Sequence, residues 1–171
     1  MARFTGLHHK ADEETQRLAC ERSERFAAAV SFIATMPATL DCTPSAPVPV
    51  MLVLGTEDPL VPYGGGPVAS GDRGEAISAD AAVAFWAAQN QCAGPPEVTE
   101  LPDVDPDDGT RVRREMQTGC AAPVGRLILE GGGHTWPGGS QYLPQRTIGR
   151  VSHDVQGEDV LWDFVSPFGA E

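Results

Sequence analysis

The run 48-VPVMLVLG-55 constrains the fold more than any other stretch. It is continuously apolar and does not alternate with polar residues, so neither face of a strand built from it can meet water. Such a strand belongs inside a parallel sheet with helices over both faces. It ends in 55-GTEDPLVPYGGG-66, a loop dense in turn formers. In open parallel sheets, chemistry gathers in the loops beyond the carboxyl ends of the strands. Asp58 is therefore a candidate functional residue. Its plainer reading is a turn aspartate ahead of Pro59.

The rest of the chain fits the same plan. Residues 12–29, DEETQRLACERSERFAAA, read as a helix, with Asp12, Glu13 and Glu14 at the positive end of its dipole. A buried strand is expected over 30–35, and a loop over 37–47 holds Cys42. A helix is expected at 79–91, with Phe85 and Trp86 in the core. Two strands, 97–103 and 110–119, flank the turn DVDPDDG and read as a hairpin. The strand 125–131 leads into 130-EGGGHTWPGGS-140, and an amphipathic helix closes the chain at 158–165. The order gives an α/β fold: a mainly parallel sheet with flanking helices and a β-hairpin insertion. His134 lies in a second strand-end loop. It reads as a functional imidazole, or as a loop histidine capping backbone groups. The order aspartate-then-histidine is that of an α/β-hydrolase triad, which runs serine, acid, histidine.

Charge narrows the partners. The chain has 24 acidic and 12 basic residues and a formal net charge of −12. Nucleic acids and anionic membranes need a basic footprint, so neither is an expected partner. No apolar run approaches the length of a membrane span, and MARFTGLHHKADEE contains no apolar core of a signal peptide. Cys20, Cys42, Cys92 and Cys120 form no CxxC pair. Two disulfides or four buried thiols both fit their count. In DVDPDDG the glycine is one place late for a calcium loop, and Arg114 stands where the closing glutamate belongs, so a hairpin turn is expected. His8 or His9, His134 and Asp58 have the chemistry of a zinc or iron site, but no spacing motif supports one. No metal or other cofactor is expected.

The segments RLACERSERFAAAVSFIATMP, PVPVMLVLGTEDPLVPYGGG, VAFWAAQNQC, DPDDGTRVRREMQTGC and LEGGGHTWPGGSQYLP occur in that order, followed by VLWDFV. Together they resemble the C-terminal half of the polyhydroxybutyrate-depolymerase and feruloyl-esterase group of α/β-hydrolases. GTxDxxVPY followed by GGGHxWPGG carries most of that resemblance. It implies a partial α/β-hydrolase fold over 15–165, a divergent or disordered segment at 1–14 and a tail at 166–171. It also implies serine carboxylester hydrolase ancestry, with Asp58 as triad acid and His134 as triad base. Trp136 and Tyr63 would border the substrate, Cys92 would pair with Cys120, and the ester would be a small molecule or a polymer. An extracellular location is implied by the group's many secreted members.

The chain departs from the group at its start. The group's nucleophile elbow, GxSxGG, precedes the helix containing RLACE and would put the serine near position 9. Here 6-GLHHKADEET-15 places His9 there, or His8 with one inserted residue, and no GxSxG occurs anywhere in the chain. Gly6 remains, and Thr5 is the nearest hydroxyl. Elements matching the group's early strands and oxyanion-hole loop are also missing. The chain alone is therefore expected to be inactive. A non-catalytic binding or oligomerisation module is the alternative, with homodimerisation through the unpaired edge of the first parallel strand.

Overall fold

The computed structural model describes residues 4–5, 11–69 and 74–169. In chain order the elements are β1 (Phe4–Thr5), α1 (Ala11–Glu21), a 3-10 turn (Ser23–Arg25), β2 (Ala28–Phe32) and β3 (Val50–Gly55). A two-stranded ribbon, β4 (Gly66–Pro67) and β5 (Glu75–Ala76), precedes α2 (Ala79–Gln89). Then come β6 (Gly94–Glu100), β7 (Arg111–Thr118), β8 (Val124–Glu130), α3 (Gln145–Ile148), α4 (Gly157–Val165) and a 3-10 turn (Ser166–Phe168). The main sheet runs β1-β2-β3-β8-β7-β6. Its first four strands are mutually parallel, and β7 is antiparallel to both β8 and β6. This is a mixed, mostly parallel sheet flanked by helices, a partial α/β fold.

The apolar run works as its sequence demands. Val50, Leu52 and Leu54 face one core with Ala19 and Cys20 of α1 and Ala82, Val83 and Trp86 of α2. Met51 and Val53 face a second core with Phe32, Leu127 and Leu129, closed by Val160, Phe164 and Val165 at the end of the chain. Every residue of β3 is buried. Trp86 is wholly buried, and its indole N–H donates to Gln16 Oε1 at 2.7 Å.

The first helix is shorter than its sequence predicts. It stops at Glu21, and Ala28 and Ala29 enter β2 instead. Alanine favours a helix locally, but only by tenths of a kcal/mol per residue. Both faces of β2 are buried, and that tertiary term decides. Ser23 stops the helix usefully: its hydroxyl oxygen accepts from the Ser45 and Ala46 amides. β2 ends at Phe32, and the next residue, Ile33, has a φ of 53°.

The expected unpaired edge of β2 is corrected in part, because Phe4 and Thr5 pair with Ala28 and Ala29. Both β1 and the start of α1 fall within the segment 1–14. At the other edge, β6 is almost wholly exposed, contains Pro95 and Pro96 and has a register irregularity between Gly94 and Glu97. Prolines, charges and bulges all discourage further strand pairing. The hairpin's base is fixed by a Cys92–Cys120 disulfide, the pairing the resemblance implies. A second disulfide joins Cys20 to Cys42. Asn90, fully buried, binds the start of β3 and the approach to β8. Its side chain donates to Val48 O at 2.7 Å and Ala122 O at 3.1 Å. Among the described residues, no helix is long and apolar enough to cross a membrane.

Candidate active site

β3 and β8 are adjacent and parallel, with Gly55 in register with Leu129. The loops beyond them therefore start side by side. The Thr56 amide donates to Leu129 O at 3.0 Å, the Glu57 amide to Gly132 O at 2.9 Å, and the Gly131 amide to Thr56 Oγ1 at 2.9 Å. Three residues past Gly55, Asp58 folds its carboxylate back over its own turn. Oδ1 accepts from the Leu60 and Val61 amides at 2.7 and 2.8 Å. Oδ2 is left facing the other loop, where it meets His134 Nδ1 at 2.8 Å. Both residues are buried, His134 to 5% and Asp58 to 8% residual exposure. The carboxylate accepts, so the shared hydrogen belongs on Nδ1. Nε2 then becomes the nitrogen through which this ring can exchange a proton.

The glycines before His134 have a geometric cause. A Cβ on Gly55 would lie 2.6 Å from the Gly133 carbonyl oxygen, and one on Gly133 would lie 2.7 Å from the Gly149 carbonyl carbon. Backbone packs on backbone here, leaving no room for side chains. The segment 148–152 then holds the loop by its main chain. The His134 amide donates to Ile148 O at 2.6 Å, and the Gly133 amide to Arg150 O at 2.9 Å. The Thr135 hydroxyl also donates to Arg150 O, at 2.9 Å. Gly149 makes the required turn with a φ of 77°.

No motif in the sequence marks that supporting segment. Its partners lie in the β6–β7 turn. The Val104 and Asp105 amides donate to Asp154 Oδ1, the His153 amide to Asp108 Oδ2, and the Thr110 hydroxyl to Ser152 Oγ. The Asp108 carboxyl is held below the usual carboxylate range. Burial alone would raise it, but the hydrogen bonds accepted from His153 and Thr110 outweigh that. The DVDPDDG segment is thus a hairpin turn whose carboxylates bind backbone amides. Among the described residues, no group of three or more His, Cys, Asp or Glu side chains could hold a metal ion. His8 and His9 lie outside the described residues.

The two expected substrate contacts have other partners. Trp136 is half-buried, stacks on Phe32 with centroids 4.2 Å apart and fills the space beside Gly157. Tyr63 packs against the α1–α2 core. Burial pushes its phenol pKa up, against the lowering effect of nearby Arg126, with Asp80 and Glu115 also raising it. Arg126 bridges Asp80 of α2 and Glu115 of β7, and tethers the helix to the hairpin. The structure therefore brings Asp58 and His134 together, while Trp136 and Tyr63, each half-buried, pack partly against the two cores.

No family model matches the chain. Over 164 residues, 87% of this chain, it is 29% identical to the protein described as "Putative esterase NocK" of Nocardia uniformis subsp. tsuyamanensis. The similarity links the chain to an esterase-type protein. The chain spans 46% of that relative's length.

Proposed function

We propose that this chain is the acid–base half of a serine carboxylester hydrolase of the polyhydroxybutyrate-depolymerase and feruloyl-esterase type. The observation that carries the reading is the buried His134–Asp58 pair, joined at 2.8 Å beyond the carboxyl ends of two adjacent parallel strands. In this reading Asp58 fixes the tautomer of His134 and stabilises its protonated form, while Nε2 takes a proton from a serine hydroxyl and returns it to the leaving alcohol. The likeness to an esterase-type protein over most of the chain supports the same chemistry. So does the connectivity: residues 6–10 join a parallel strand to a helix, where the group carries its serine turn.

Position 9 is histidine, and the sequence holds no GxSxG. By itself the chain therefore lacks the nucleophile, and it hydrolyses no ester at a useful rate. Purified protein is assayed with p-nitrophenyl acetate and methyl ferulate beside a His134→Ala variant. Equal, buffer-level rates are expected for both. Turnover that disappears in His134→Ala would overturn the inactive reading while supporting the base role.

A further inference from the structure

A second candidate site lies away from the His134–Asp58 pair. Between α4 and the β6–β7 hairpin is a cleft of about 770 Å³, within the size range of small-molecule pockets. Its floor is apolar and adaptable, made by Met51, Met116 and Leu127 of the sheet with Val160 and Phe164 of α4. Val104, 68% exposed, stands at its lip as apolar surface that a bound molecule would cover.

The walls are acidic. Gln156, Asp159, Val160, Asp163 and Phe164 all line the cleft. Their spacing of three and four residues puts them on one side of the helix. Asp159 and Asp163 are exposed and four apart, so two like charges face each other across one helical turn, an unfavourable arrangement. Asp159 suits the positive end of α4, but Asp163 is too far along for that to account for it. A third carboxylate, Asp154, lines the same cleft with only 8% exposure. Its Oδ1 accepts from two turn amides, while its Oδ2 is buried and, among the described residues, has no hydrogen-bond partner. No described cation pairs with that oxygen, and its field acts through a low-dielectric wall. On the other side Arg114 and His153 are exposed, and Arg114 makes no ion pair among the described residues; water screens these charges as it does Asp159 and Asp163, so the buried Asp154 carboxylate tips the cleft toward cations.

We infer that this cleft binds an amphiphilic amine: an apolar ring system seated on the methionine floor, with its ammonium between Asp159 and Asp163. The cation would relieve the repulsion along α4 and meet the field of Asp154, while the ring covers Val104. An anionic ligand would meet Arg114 and His153, but also the three carboxylates of Asp154, Asp159 and Asp163.

Three probes share one ring and differ in the head: tryptamine, indole-3-ethanol and indole-3-propionate. Binding is followed by calorimetry and by methyl-region NMR on the intact chain. Tryptamine is expected to bind at least tenfold tighter than indole-3-ethanol, and indole-3-propionate more weakly still. Shifts should centre on Met51, Met116, Leu127 and Val160. The paired substitutions Asp159→Asn and Asp163→Asn, both at exposed positions, should reduce tryptamine affinity at least fivefold and leave indole-3-ethanol unchanged. Equal or tighter binding of indole-3-propionate, indifference of tryptamine to the paired substitutions, shifts centred elsewhere, or no binding by any probe would each overturn the inference.

Discussion

The substitution Gly133→Ala tests whether backbone packing holds the imidazole in place. Gly133 has an ordinary φ, so the added methyl meets a purely steric problem. Its Cβ would fall within 3.0 Å of the Ile148 carbonyl oxygen and of Gly149 backbone atoms. None of these is the end of a flexible side chain, so the two segments must separate. Overpacking of this kind costs about 1–3 kcal/mol. Separation also stretches the bonds from the Gly133 amide to Arg150 O and from the His134 amide to Ile148 O, which are 2.9 and 2.6 Å long. Each lost bond adds about 0.5–1.5 kcal/mol. The combined loss is about 2–6 kcal/mol, and for a domain of this size Tm should fall by about 4–24 °C. Gly64→Ala is the control, because a Cβ there meets nothing within 4 Å and its backbone needs no positive φ. It should stay within about 0.5 kcal/mol of the parent. Thermal melts supply the energies, and the His134 Nδ1–H resonance reports the pair. If Gly133→Ala melts with the control and keeps that resonance, the backbone-packing account is wrong.

Asp58→Asn should keep the turn, because the amide oxygen can still accept from Leu60 and Val61, but its NH2 would face His134 and move the ring hydrogen to Nε2. Histidine ¹⁵N spectra read this directly, and an unchanged tautomer would refute it. The Asp108 carboxyl lies below its ordinary value of 3.8 in the folded chain, so its contribution is present above that pH and is lost as pH falls through the lowered value. Asp108→Asn should therefore flatten the acid side of a urea-midpoint profile below about pH 4, and a parallel downward offset at every pH would contradict the assignment. Cys92→Ser with Cys120→Ser removes a cross-link spanning 28 residues. The chain-entropy account puts its loss at about 3–4 kcal/mol in urea unfolding, and a change under 1 kcal/mol would count against that account.

What the sequence discloses follows from where each signal resides. The β3 strand is legible because burial on both faces suppresses alternation. The Asp58–His134 pair is legible because each residue stands in a loop beyond a strand's carboxyl end and the two follow the acid-then-histidine order; that their strands are neighbours is seen only in the fold. The end of α1 is not legible, since Ala28 and Ala29 favour a helix locally and only the sheet overrules them. The segment 148–157 is hidden for another reason. It supports His134 mainly through main-chain groups, which leave little mark on residue type. The stacking of Trp136 on Phe32 and the packing of Tyr63 on the α1–α2 core are not legible either, because a loop position does not set a ring's neighbours. The Cys20–Cys42 bond spans 22 residues with no local motif, so counting cysteines could not choose it.

The Asn90 joint and the neighbouring disulfide have a joint consequence for the order of folding. Asn90 contacts Val48 and Ala122, 42 and 32 residues away. In a reduced chain, bringing those positions together requires closing long loops before any contact rewards it, and such contacts form slowly. Cys92 and Cys120 lie two residues from Asn90 and Ala122. Once they are oxidised, the longer route through the hairpin is already closed in the unfolded chain, and Asn90 meets Ala122 across a short link. The hairpin then behaves kinetically as a local element, and the redox state of one cysteine pair sets how quickly the helix, the hairpin and the central strands find their common junction.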